Sequence, residues 1–173
     1  WGGKLAGSYA AWTQHRRRIA SLTLIAPGIV PKVDVSPATK LGVAMCLLAL
    51  GRKGFAIPLN EPQLFTDNEP MREFLRRDPL RLRRASARFL YASRCLDRLL
   101  TRAPEGVLRM PVTLIQATCD RIMDNEATAQ VVMRLTGGRA DVHELPGAHT
   151  LEFEPDPARF FDVLLAACRR RNS

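Results

Sequence analysis

Three short runs rich in Val, Leu and Ile read as buried strands: Ser21–Ala26, Val112–Ala117 and the more polar Asp141–Leu145. Around them the pattern turns helical. Ahead of the first run, Gly2–Arg18 carries small residues and Leu that suit a helix packed closely on a sheet. The arginines at its end suit the negative pole of a helix C-terminus. After the second run, Asp124 or Asn125 can cap a helix that stops before Gly137 and Gly138. After the third, Asp156 is a candidate N-cap with Pro157 at the first helical position, and Phe160, Phe161, Val163, Leu164 and Leu165 form an apolar face. Alternation of this kind predicts an α/β fold in which helices cover both faces of a parallel sheet.

The segment between the first two strands breaks the alternation. Ser36-Pro37 and Asp78-Pro79 each read as a cap-plus-proline helix start, Ala38–Leu50 and Leu80–Leu100 carry helical periodicity, and Phe55–Asp67, with Pro58 and Pro62, reads as an extended connection. In an α/β domain such an insert is either a lid over the C-terminal edge of the sheet, where ligands bind, or a helical decoration that stabilises it. The pattern alone leaves both open.

Composition narrows the class. With 173 residues, 46% hydrophobic and 25% charged, the chain has the make-up of one soluble globular domain with a real core. Its longest apolar stretches, Val43–Leu50 and Val163–Cys168, fall far short of the roughly 20 residues needed to span a bilayer. The net charge of +9 comes mostly from arginines spread along amphipathic segments, without a single block of interleaved aromatics, so no nucleic-acid partner is expected. Cys46, Cys95, Cys119 and Cys168 form no C-x-x-C pair, which signals neither zinc nor redox chemistry and suggests thiols in a reducing, cytoplasmic compartment. The chain opens at Trp1 without Met or a signal-peptide pattern, which reads as a truncation.

The candidate chemistry sits after the strands. Val112–Ala117 runs into Asp120, and Asp141–Leu145 runs into a loop holding His149, so both side chains belong at the C-terminal edge of the sheet. There a carboxylate can bond one imidazole nitrogen, fix the tautomer and leave the other nitrogen free to take a proton from a nucleophile. The order acid, then His fits the α/β-hydrolase order of Ser, Asp or Glu, His. Trp1-Gly2-Gly3 supplies the x-G that follows the Ser of a G-x-S-x-G nucleophile elbow.

Other residues compete for these roles. Asp124 is an alternative acid, but it stands where a helix should start and suits capping. His143 lies inside a strand pattern, and His15 beside Arg16, Arg17 and Arg18 reads as solvated. Ser8 lacks the flanking elbow glycines and is rejected as nucleophile. Cys119 precedes a carboxylate that would disfavour its thiolate, and reads as a small buried residue.

Taken together, Trp1-Gly2-Gly3-Lys4, Asp120-Arg121-Ile122 and Gly147-Ala148-His149-Thr150-Leu151-Glu152-Phe153-Glu154 resemble α/β-hydrolases of the monoacylglycerol lipase, lysophospholipase and serine aminopeptidase group. The resemblance spans the chain. It implies the C-terminal part of an α/β-hydrolase with an inserted, mainly helical cap: core over 1–30, cap over 31–109 and core again over 110–173. It assigns Asp120 as the triad acid, His149 as the general base and the backbone N–H of Trp1 as one oxyanion-hole donor. The nucleophilic Ser would stand immediately before Trp1, so the chain alone is expected to be inactive.

The implied activity is hydrolysis of a carboxylic ester, a monoacylglycerol or lysophospholipid, through a serine acyl-enzyme, with no cofactor and no metal. Peripheral contact with a membrane is compatible with such a substrate. Leu47, Leu48, Phe89, Leu90 and Leu96 serve equally well as acyl-pocket lining or as cap core. The rival reading is a non-catalytic scaffold of the same fold whose basic surface binds anionic lipid or nucleic acid.

Overall fold

A computed structural model describes residues 1–12, 19–49 and 53–169. Its centre is a three-stranded parallel sheet of β1 (Leu22–Ile25), β4 (Val112–Ala117) and β5 (Asp141–Leu145), with β4 in the middle. The register pairs Leu22 with Val112 and Ile25 with Ile115, then Thr113 with Asp141 and Ala117 with Leu145. All three strands therefore end at one edge.

Side chains alternate across a strand, and every residue of β4 is buried because helices cover both faces. On one face Val112 and Leu114 join Leu22 and Leu24 against Ala10 of α1 (Gly2–Ala11) and Val132 and Leu135 of α5 (Asn125–Thr136). On the other, Ile115 and Ala117 meet Phe160 of α6 (Ala158–Arg169). No helix among the described residues is long and apolar enough to cross a membrane.

The helix boundaries around the sheet follow the sequence chemistry. Asp124 accepts the Ala127 N–H at 3.0 Å and caps α5, whose C-cap is Gly137 in the left-handed conformation. Asp156 accepts from the Ala158 N–H at 3.2 Å. The predicted extension of the first helix through Arg18, together with His15, lies outside the described residues.

The segment between β1 and β4 holds α2 (Pro37–Leu48), β2 (Gly54–Ala56), α3 (Glu69–Arg77), β3 (Arg84–Ser86) and α4 (Ala87–Arg102). Ser36 caps α2 by accepting the Thr39 N–H at 3.2 Å, as its Ser-Pro pattern predicts. Residue 50, the predicted end of that helix, is outside the described residues.

Three expectations for this segment fail, the third in part. Asp78-Pro79 ends α3 instead of starting a helix: Asp78 is the C-cap, and its carboxylate turns back to accept the Leu80 N–H at 2.8 Å. A residue before proline is disfavoured in the helical region, so the same dipeptide that can open a helix also closes one. The following helix consequently begins at Ala87, not Leu80, with Ser86 accepting the Phe89 N–H at 3.2 Å. The stretch Phe55–Asp67, expected to be an extended connection, is extended at Phe55 and Ala56, where β2 pairs antiparallel with β3, but departs from that reading in a 3-10 turn at Pro62–Leu64.

Candidate active site

Beyond the aligned ends of β4 and β5, backbone bonds lace the two loops together: Thr118 N–H to the Leu145 carbonyl and Cys119 N–H to the Gly147 carbonyl, both at 2.9 Å. This pairing carries Asp120 and His149 to each other. His149 Nδ1 lies 2.8 Å from Asp120 Oδ2. The other carboxylate oxygen, Oδ1, accepts the N–H groups of Ile122 at 2.8 Å and Met123 at 2.9 Å. The Asp120 side chain is fully shielded from solvent, while that of His149 is 22% exposed.

Burial raises the Asp120 carboxyl, but the hydrogen bond and charge of His149 and the two backbone N–H groups outweigh it, holding the carboxyl below its ordinary value. The pair is thus poised as a carboxylate bonded to Nδ1. His149 Nε2 has no hydrogen-bond partner among the described residues, and the imidazole faces a cleft of about 430 Å³ walled by Ile25, Ala26, Phe160, Phe161 and Leu164.

Trp1 stands at the same edge. It is the N-cap of α1, whose Gly3 is packed so tightly on the loop after β1 that an added Cβ would lie 2.7 Å from the Pro27 Cβ. The Trp1 indole meets Phe89 of α4 edge-on, with ring centroids 4.7 Å apart.

The serine aminopeptidase, S33, family matches residues 1–156. The chain belongs to that family. Among solved structures, this S33-family chain is similar to a monoacylglycerol lipase of Paleococcus ferrophilus, at a TM-score of 0.78 and 17% identity, covering 94% of this chain and 62% of that one. It is also similar to a soluble variant of the monoglyceride lipase of Saccharomyces cerevisiae in complex with a substrate analog, at a TM-score of 0.80 and 16% identity, covering 99% of this chain and 60% of that one. These likenesses establish an α/β-hydrolase fold, of which the chain spans less than two thirds of either structure's length. No curated protein sequence matches.

Within the S33 fold, the competing residues fall elsewhere. Asp124 is the α5 cap. His143 sits in the middle of β5 with its Nε2 2.7 Å from Asp141 on the same face of the same strand, short of the C-terminal strand ends where Asp120 and His149 meet. Ser8 is buried in the body of α1. Cys119 is exposed, not the small buried residue expected, because its position in the turn after β4 points it outward beside Arg121.

The apolar candidates divide. Leu47 and Leu90 pack on the cluster of Cys46, Phe55 and Ala87, Leu48 is 80% exposed, Phe89 is exposed and meets Trp1 edge-on, and Leu96 is half-buried. Among the described residues no group of three or more His, Cys, Asp and Glu is arranged to hold a metal ion.

Sequence reasoning missed the residues behind the base. Glu154 Oε1 accepts the Ala148 N–H at 3.0 Å, directly beside His149, and Thr150 N–H donates to the Phe65 carbonyl at 2.9 Å. Glu154 stands five residues after His149 in the same loop segment, and an acidic residue so close to the base was the available signal.

Proposed function

We propose that the full-length protein is a serine hydrolase acting on a lipid-like carboxylic ester, with His149 as general base and Asp120 as the residue that orients it. The observation carrying this reading is the 2.8 Å contact between His149 Nδ1 and a buried carboxylate whose second oxygen is already saturated by two backbone N–H groups. Such a carboxylate cannot swing away, so the imidazole is held in the tautomer that leaves Nε2 to accept a proton.

In this reading a Ser directly before Trp1 in the longer protein attacks the ester carbonyl carbon while Nε2 of His149 takes its proton. The tetrahedral oxyanion accepts a hydrogen bond from the backbone N–H of Trp1. Collapse breaks the acyl–oxygen bond, and His149 returns the proton to the departing alcohol, leaving an acyl-serine. Water then attacks the acyl carbon as His149 takes its proton, and the Ser oxygen leaves with that proton, releasing the carboxylic acid.

Residues 31–109 form the cap in this reading. The hydrophobic wall of Ile25, Phe160, Phe161 and Leu164 beside His149 supports an acyl chain as the substrate's larger part. Without the Ser, the 173-residue chain by itself does not turn over.

The test is labelling of the full-length protein with a fluorophosphonate, followed by assay on short- and long-chain monoacylglycerol esters. Labelling that is abolished by His149→Ala, together with ester turnover, supports the reading. An unlabelled, properly folded full-length protein that binds anionic lipid without turnover sinks it in favour of the scaffold.

A further inference from the structure

The stretch Gln63–Asn68 touches both loops that carry the acid and the base. On the acid side, Arg121, next to Asp120, donates through Nη1 to the Gln63 carbonyl at 2.5 Å. It also grips both oxygens of Asp67, at 3.0 and 2.9 Å. On the base side, the Phe65 carbonyl accepts the Thr150 N–H at 2.9 Å, and the Phe65 ring stands edge-on to the His149 imidazole with centroids 6.1 Å apart.

Deeper in, Thr66 is fully buried, with its Oγ1 3.3 Å from Glu154 Oε1, and accepts the Asn68 N–H at 3.1 Å. Asn68 Nδ2 in turn donates to the Phe153 carbonyl at 2.8 Å.

Glu154 is the junction of this arrangement. Its Oε1 is shared by the Thr66 hydroxyl and the Ala148 N–H, so one carboxylate ties the strap to the peptide unit that precedes His149. Gly147, at φ +138°, is the residue that lets the loop pass over that carboxylate, because an added Cβ would lie 2.8 Å from Glu154 Cγ. A hydrogen bond to an ionised acceptor is stronger than a neutral one, and a fully buried hydroxyl has no water to replace it.

We infer that Glu154 and Thr66 are positioning residues for His149, and that Gln63–Asn68 is the strap through which the segment between β1 and β4 sets the alignment of imidazole and carboxylate. The inference rests on the assignment of Asp120 and His149 as the acid and base pair, and extends it. When the strap is seated, the His149 loop is held from below by Glu154 and from the side by Phe65. When it lifts, Glu154 loses the Thr66 hydroxyl and Thr150 loses the Phe65 carbonyl together, so seating this segment and aligning the base are one event.

The test uses nuclear magnetic resonance on the nitrogen-labelled full-length protein, reading solvent exchange of the far-downfield proton shared by His149 Nδ1 and Asp120. The His143 to Asp141 proton on β5 serves as an internal reference. Glu154→Ala and the isosteric Thr66→Val are expected to speed exchange of the His149 proton by roughly tenfold or more, the scale of losing one charge-assisted hydrogen bond. Glu154→Gln, which keeps an acceptor oxygen, restores exchange to near the parent rate, while His143 stays unchanged.

Unchanged His149 exchange in both variants overturns the inference, as does equal acceleration of the His143 proton and the β4 amides, which marks general loosening. Should Glu154→Ala fail to fold, Thr66→Val and the exposed Asp67→Ala decide by the same criterion. If the unsubstituted chain shows no such proton, the pairing of Asp120 with His149 falls first and the inference falls with it. Unchanged exchange in the variants with the proton present in the parent removes the strap alone.

Discussion

Asp120 reaches His149 from the end of the neighbouring parallel strand, and the Asp120 oxygen that does not face the imidazole is occupied by the N–H groups of Ile122 and Met123. The carboxylate is therefore fixed from both sides before any substrate arrives. In the full-length protein, Asp120→Asn should lower kcat for ester hydrolysis by about 10³- to 10⁴-fold with little change in KM. An amide in this position no longer holds the imidazole in the required tautomer. Steady-state kinetics on a short-chain ester checks this.

The same contact makes the fold acid-sensitive. The folded Asp120 carboxyl lies below its unfolded value, so the ionised form favours the fold. That contribution is complete above the unfolded pKa of about 3.9 and disappears as pH falls through the folded value. Parent and Asp120→Asn proteins should therefore differ most in urea midpoint near neutrality and converge as the pH drops below about 4. A gap that is constant with pH would remove this linkage.

Gly2 and Gly3 are adjacent in α1 and should respond in opposite directions. A Cβ at Gly2 meets nothing within 4 Å, whereas one at Gly3 collides with the Pro27 Cβ at 2.7 Å and its Cα at 2.9 Å. Gly2→Ala is expected to be neutral or stabilising by up to about 1 kcal/mol, from the helix propensity of Ala. Gly3→Ala is expected to destabilise by about 1–3 kcal/mol, because helix and loop must part. Urea denaturation of the two variants distinguishes them.

Lys4 is buried on α1 and pairs with buried Asp97 of α4, with Ser93 Oγ 3.1 Å from its Nζ. Asp97 also has Arg94 at 3.6 Å, so the two partners are not equivalent. Asp97→Ala leaves a buried ammonium with one hydroxyl, and is expected to cost about 3–5 kcal/mol. Lys4→Met leaves a carboxylate that still has Arg94, and should cost less. Equal losses in thermal or urea unfolding would contradict this asymmetry.

Gly147→Ala places a side chain at φ +138° and against Glu154 Cγ. Turnover by the full-length protein should fall by at least about tenfold, mainly in kcat, as the His149 loop shifts by the fraction of an ångström that alignment tolerates poorly. Unchanged kcat would show that the loop absorbs the change.

How far the sequence revealed this arrangement depends on the range of each contact. Val112–Ala117 was legible because a strand buried on both faces is apolar, the more polar Asp141–Leu145, of which only Leu145 is buried, from its place between two helical patterns, and Asp120 and His149 because they directly follow these strands. Helix α3 was not read although Met71, Phe74 and Leu75 fall at helical spacing, because Glu69–Arg77 is short, mostly charged and has no fully buried residue. Its support is ionic, from Arg72 to Glu69 and from Arg76 and Arg77 to Glu73, pairs at helical spacing that only its charge pattern encodes. The strap was equally silent, because Thr66 and Asn68 bond to residues more than 80 positions away through side chains that resemble any polar loop.

Helix α4 belongs to two hydrophobic clusters at once. Its first residue, Ala87, is packed with Cys46 and Phe55, while Leu100 near its end is fully buried with Leu22, Leu24, Val112 and Leu114 under the sheet. Arg134 of α5 completes the union by donating to the carbonyls of Leu100 at 3.2 Å, Thr101 at 3.0 Å and Ala103. A girder shared in this way ties the region between β1 and β4 to the core under the sheet, so that removing it would uncover Leu22, Leu24, Val112 and Leu114.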